Sequence, residues 1–141
     1  MAGNIGRAFS TAVLEEPDVE WHVIEVSSFQ LARIATFRPR IAVVLNLTPD
    51  HLDVYASMED YAADKARIAE NMDAGDALCL NAEDSALEAF GTDRALERHF
   101  FHRGRPVERG AWVDDGWIAL DGERFCHPRE AQIRWVKGRI W

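Results

Sequence analysis

Ile41-Ala42-Val43-Val44-Leu45 is an unbroken apolar run, preceded by Arg38-Pro39-Arg40 and opening into Asn46-Leu47-Thr48-Pro49-Asp50-His51-Leu52-Asp53. A strand without alternation is one covered on both faces, so the run predicts a strand in the middle of a parallel sheet. Ligands of open α/β sheets sit beyond the carboxyl ends of the strands. The Asn, Asp, His and Asp of the following loop therefore stand where chemistry is usually done.

Ser57 followed three residues later by Asp60 reads as a capping box, and it predicts a helix to about Asp73, stopped by Gly75. Met58, Tyr61, Ala62, Ile68, Ala69 and Met72 fall on one stripe of that helix, and Lys65 falls on the same stripe. Two readings of Lys65 stay open on these residues alone. Either its stem lies against the core while its head reaches solvent, or the amine is held near the loop of Asp50 and His51, where burial makes a neutral, modifiable amine accessible.

The flanking segments extend the pattern. Met1 to Gly6 leads into a helix with the stripe Ile5, Ala8, Phe9, Ala12 and Val13, and its glycine-bearing start exposes backbone N–H groups that suit an anion. Trp21 to Val26 reads as a second buried strand with Glu25 near its C-terminal end, and Ser27-Ser28 cap a helix from Phe29 to about Phe37. Ala77 to Asn81 is a third strand. A short helix from Glu83-Asp84-Ser85 to about Phe90 follows, then a fourth strand at His99 to His102. This βαβα order predicts an α/β fold over residues 1–109, a mostly parallel sheet with helices on both faces. From Gly110 the runs shorten, and Asp114-Asp115-Gly116 and Asp121-Gly122-Glu123 read as hairpin turns. Residues 110–141 are therefore expected to form an appended antiparallel β-hairpin region, with Gln132 to Val136 as one more strand.

At 141 residues and 48% hydrophobic content the chain is the size of one domain with a real core. A net charge of -8, with no basic run, argues against nucleic-acid or membrane partners. Cys79 and Cys126 are far apart and suit a reducing cytoplasm better than a disulfide framework or a zinc site. No signal-peptide pattern and no apolar run near the ~18 residues of a membrane span is present, so a cytoplasmic location is expected. The Trp-rich end suggests apolar surface that meets another part of a larger protein.

Five segments, Gly3-Asn4-Ile5-Gly6, Glu25 to Leu31, Leu45 to Asp53, Tyr61 to Ile68 and Asn81 to Asp84, resemble in order and spacing the central domain of the Mur ligases, which is P-loop-NTPase-like. The form Ser27-Ser28-Phe29-Gln30-Leu31 is most similar to the branch that adds D-glutamate to UDP-N-acetylmuramoyl-L-alanine. The resemblance implies a cytoplasmic reaction dependent on ATP and Mg2+. The muramoyl-alanine carboxylate is phosphorylated, the D-glutamate amine attacks the acyl phosphate, and the tetrahedral intermediate collapses to the amide. It implies that Glu25 and His51 hold magnesium, and that Lys65 carries a carbamate supporting a second metal ion. Asn4 either sits against the UDP-sugar diphosphate or caps its helix. Ser27, Ser28 and Gln30 face the substrate, unless the two serines serve only as caps. Asn46 and Asp50 line the nucleotide and metal edge, or close loop hydrogen bonds. His22, His99, His102 and His127 match no functional position and are read as structural.

The departures from the family pattern carry expectations of their own. A P-loop needs Gly directly before its Lys, whereas Lys65 follows Asp64 and Lys137 follows Val136. In the family that loop precedes the Gly-Asn-Ile-Gly helix, together with a domain gripping UDP. An adenine-binding segment and a domain for the incoming amino acid come after the central domain. The chain is thus expected to be a single central domain truncated at both ends, inactive alone and monomeric once its missing domains are restored. Two readings from other classes are a metal-dependent hydrolase, in which Asp50, His51 and Asp53 hold a metal that activates water, and a non-catalytic remnant that binds a partner through its Trp-rich end.

Overall fold

A computed structural model describes residues 1–50 and 53–127. In chain order the elements are β1 (Ala2–Gly3), α1 (Phe9–Glu15), β2 (Ile24–Glu25), α2 (Ser28–Leu31), β3 (Ile41–Val44) and α3 (Met58–Ala66), the last running on as a 3₁₀ helix at Arg67–Ala69. Then come β4 (Ala77–Asn81), a 3₁₀ helix at Ser85–Leu87, β5 (Glu97–His102), β6 (Gly110–Asp114), β7 (Trp117–Leu120) and β8 (Glu123–Cys126). The expected strand from Gln132 to Val136 lies outside the described residues, as does His51. Among the described residues no helix is long and apolar enough to cross a membrane. The chain divides into two compact units, Met1–Arg38 with Pro49–Asn71, and Pro39–Thr48 with the chain from Met72 on.

The first unit holds the parallel pair β1 and β2 and the three α-helices. The three helices of this unit are shorter than their sequences predict, the third ending with its 3₁₀ turn at Ala69 and not near Asp73. The first starts at Phe9, so Ile5 is left 47% exposed in the preceding turn, and of the expected stripe only Ala12 is fully buried. The second stops at Leu31 because its later carbonyls find other donors. Arg67 gives its guanidinium N–H groups to the carbonyls of Ala32 and Ile34, and the Asn71 amide bonds those of Ala35 and Phe37, each at 3.0 Å. Carbonyls satisfied this way need no helical N–H four residues on. The Lys65 helix begins as expected, with the Asp60 N–H donating to Ser57 Oγ at 3.1 Å. Its return bond comes from the Ser57 hydroxyl at 3.0 Å.

The second unit is a six-stranded sheet in the order β3-β4-β5-β6-β7-β8. The first four strands are parallel and the last two pairings antiparallel, as expected of a parallel α/β sheet with hairpins at its C-terminal end. Two expectations of buried strands are overturned. The strand expected from Trp21 to Val26 is confined to Ile24–Glu25, with Trp21 and Val23 exposed by 59% and 66%. The strand Ile41–Val44 is not central and not covered on both faces: β4 is its single partner among the described residues. Its side chains alternate, Ala42 and Val44 buried, Ile41 and Val43 exposed by 53% and 51%. The most deeply buried apolar side chains of this unit lie on β4 instead, at Leu78 and Leu80, and Leu87, Phe90 and Ala119 are buried too.

Both predicted hairpin turns form. Asp115 and Gly116 have φ of 47° and 79°, and Asp121 and Gly122 have 48° and 93°. Positive φ at both central residues is the pattern of the tight turns that match strand twist. The hairpins are less of an appendage than expected, because β6 is the last parallel strand as well as the first antiparallel one. Gly110 opens β6 at φ 127°, and a Cβ there would fall 2.0 Å from the Phe100 carbonyl oxygen, so only glycine permits this pairing.

Candidate functional site

Most of the residues singled out by sequence gather in the first unit. Glu25 ends β2 opposite Gly3, and its carbonyl accepts the N–H of Asn4 at 2.8 Å. Gly3 has φ 118°, and a Cβ there would meet the Glu25 carbonyl oxygen at 2.1 Å, so the close approach of the two backbones depends on glycine. Asn4 stands in the exposed turn before α1 and is not a helix cap; Ala8 holds the cap position and supplies no side-chain bond. The side chain of Glu25 is the unusual feature. Its Oε2 is buried and accepts no hydrogen bond among the described residues.

Directly after β2 the chain turns into α2 through a complete capping box. Ser27 Oγ accepts from Gln30 N–H at 3.3 Å, and Gln30 Oε1 accepts from Ser27 N–H at 2.9 Å. The box fixes the entry angle of the turn and leaves the Gln30 NH2 group as the donor with which it can reach a ligand. Ser28 is only 2% exposed. Its hydroxyl faces inward, toward Tyr55.

Lys65 is half-buried on α3, with Nζ 5.5 Å from the centre of the Tyr61 ring. Its head thus lies over an aromatic face. Tyr61, 5% exposed, also meets Tyr55 edge-on at 5.3 Å, and Tyr55 stacks on Phe29. Burial raises both phenols above their ordinary titration range. Asp64 adds to the effect at Tyr55 while Ser28 opposes it, and at Tyr61 Asp50 and then Tyr55 contribute. Asp50 is therefore near enough to Tyr61 to act on it, and Asp53 is exposed in the turn beyond. Among the described residues no group of three or more His, Cys, Asp or Glu side chains is placed to hold a metal. His51 lies outside that set.

Asn46 belongs to the second unit, exposed just past β3. The backbone on each side of it is tied down, since the Asn81 amide donates to the Leu45 carbonyl at 2.9 Å and Asp84 Oδ2 accepts from Leu47 N–H at 2.6 Å. Sequence reasoning had grouped Asn81 and Asp84 in one motif without assigning them this task. The signal was available, in two side chains able to bond backbone just past a strand end. Of the histidines, His102 is structural as expected, its Nδ1 accepting from Gly104 and Arg105 N–H at 2.9 and 3.1 Å. His22 packs edge-on against Phe9.

The family model described as the Mur ligase middle domain matches residues 3–103. The chain is similar to curated proteins named UDP-N-acetylmuramoylalanine–D-glutamate ligase. That of Acidobacterium capsulatum is 43% identical over 118 residues, 84% of this chain and 26% of the relative. That of Pelotomaculum thermopropionicum is 42% identical over 138 residues, 94% of this chain and 30% of the relative. That of Myxococcus xanthus is 44% identical over 110 residues, 76% of this chain and 24% of the relative. The chain spans 24–30% of the length of these relatives.

Proposed function

The chain belongs to the Mur ligase middle domain family, and from that premise we propose that it is the central part of an ATP-dependent carboxylate–amine ligase joining D-glutamate to UDP-N-acetylmuramoyl-L-alanine in peptidoglycan synthesis. In this reading the chain is one piece of a cytoplasmic monomer whose other domains bring the phosphate loop, the UDP grip and the D-glutamate site. Alone it does not turn over ATP.

The observation that supports the reading most is Glu25 Oε2, a carboxylate oxygen withdrawn from water with no hydrogen bond among the described residues. Leaving such an atom uncompensated is costly, and an oxygen-seeking divalent cation offsets that cost. Glu25 and His51 hold magnesium. When bound, magnesium neutralises the charge that builds on the phosphoryl group as it passes to the carboxylate. Lys65 carries a carbamate, which replaces a cation with an anion on the same helix face and supports a second ion. The capped turn presents Ser27 and Gln30, with Ser28 behind them, to the muramoyl-alanine end of the substrate. The exposed Asn4 side chain lies toward the diphosphate, its own N–H being taken by the Glu25 carbonyl, and Asn46 and Asp50 line the nucleotide edge.

Phosphate release by the complete gene product, given ATP and UDP-N-acetylmuramoyl-L-alanine, is expected to require D-glutamate and to disappear in Lys65→Ala. Release independent of D-glutamate would remove the assignment, and undiminished turnover in Lys65→Ala would remove the role given to that lysine.

A further inference from the structure

Three rings of the first unit are packed in series between the two segments that the proposed reaction uses. Phe29, on the Ser27–Gln30 turn, stacks on Tyr55 with centroids 5.5 Å and planes 12° apart. Tyr55 meets Tyr61 at 5.3 Å and 61°, and Tyr61 carries the Lys65 ammonium over its face. Tyr55 belongs to neither segment; it lies in the loop two residues before the Ser57 cap. Its hydroxyl is buried and closes no well-formed hydrogen bond, although Ser28 and Asp64 are its polar neighbours.

A buried hydroxyl without a bond destabilises the fold, and phenylalanine would make the same ring contacts without that cost. Packing explains the ring and leaves the oxygen unexplained. A polar group kept at a cost to stability points to a demand other than folding.

We propose that Tyr55 is a positioning residue, whose ring sets the spacing between the Ser27–Gln30 turn and Lys65 and whose hydroxyl donates to the Asp64 carboxylate once substrate is bound. The phenol supplies one O–H donor and the carboxylate accepts only, so the bond is charge-assisted and has one direction. Asp64 precedes Lys65 on α3. Drawing Asp64 toward Tyr55 rotates that stretch of helix and fixes the amine that follows it. The inference rests on the ligase reading above.

The test is made in the complete gene product. Tyr55→Phe is expected to unfold at a higher temperature than the parent and yet to turn over on the order of tenfold more slowly, with the KM for ATP unchanged. Asp64→Asn is expected to slow turnover comparably, and the double variant to be no slower than either single one, because both remove one bond. Tyr55→Phe at the parental rate, or losses that multiply in the double variant, would overturn the positioning role while the parent still makes product. A parent without D-glutamate-dependent phosphate release would overturn the ligase reading and this inference with it.

Discussion

The Lys65 ammonium nitrogen lies 5.5 Å from the centre of the Tyr61 ring, one helical turn back on the same face of α3. Tyr61 is itself fixed, at 5% exposure, by its edge-on contact with Tyr55. The ring is thus both a core side chain and the surface on which the lysine head rests. Tyr61→Ala is expected to lower the unfolding free energy by about 3 kcal/mol in urea titrations, the usual scale for deleting a buried ring. Tyr61→Phe keeps the ring and is expected to lose less than about 1 kcal/mol. Equal losses in the two variants would show that the hydroxyl, and not the ring, carries the contact.

The chain has two tyrosines, and both belong to this cluster. Burial, chiefly, raises each phenol above its ordinary value of 10.0. The native state then keeps protons that the unfolded chain releases. The stability tied to the neutral phenols is fully present below pH 10.0 and is lost as the pH rises through the higher folded values. Tyrosinate absorbance is therefore expected to appear at higher pH in the folded chain than in the chain unfolded by urea, with stability declining over the same interval. Coincident titration curves would contradict the burial of the two rings.

Much of this arrangement was legible in the sequence, and the misses share a cause. Ser27, Ser57 and the two Asp-Gly turns act through bonds to their own neighbours, so their local pattern was sufficient to place them. The length of α2 was not legible, because the carbonyls after Leu31 are taken by Arg67 and Asn71, more than 30 residues away. The exposure of Ile41 and Val43 was missed for a related reason: an apolar run reports what a strand tolerates on each face, not how many partners it has. Lys65 was recognisable as the odd residue on an apolar stripe. Tyr55 was not, since its interest lies in three rings and a hydroxyl that only the fold brings together.

Gly3 offers a test of how Glu25 is held. A methyl group at this position would fall 2.1 Å from the Glu25 carbonyl oxygen, and the φ of 118° is itself unfavourable for any side chain. Gly3→Ala is expected to cost on the order of 2 kcal/mol and to separate β1 from β2. Faster hydrogen exchange at the Asn4 N–H, which donates to that carbonyl at 2.8 Å, would report the separation directly. Parental stability and exchange in Gly3→Ala would mean that the two strands are not held at this spacing.

Asp84 gives the matching test beside Asn46. One of its oxygens accepts from Leu47 N–H at 2.6 Å, and the other accepts from Ala86 N–H at 3.1 Å, so a single carboxylate ties the segment after β3 to the start of a 3₁₀ helix after β4. Asp84→Ala removes both acceptors at once. The Leu47 bond is partly buried, and its donor would be left without a partner, which costs more than losing an exposed bond. A loss of about 2 kcal/mol is expected, with faster hydrogen exchange at both amides. Asp84→Asn keeps one carbonyl acceptor and is expected to lie between the parent and Asp84→Ala. Because Asn46 is held between the Leu45 carbonyl and the Leu47 amide, only the second of which depends on Asp84, the Asn81 bond to Leu45 should survive in both variants. Loss of protection spreading through the whole of β3 would instead show that Asp84 holds the strand itself, and not only the turn that follows it.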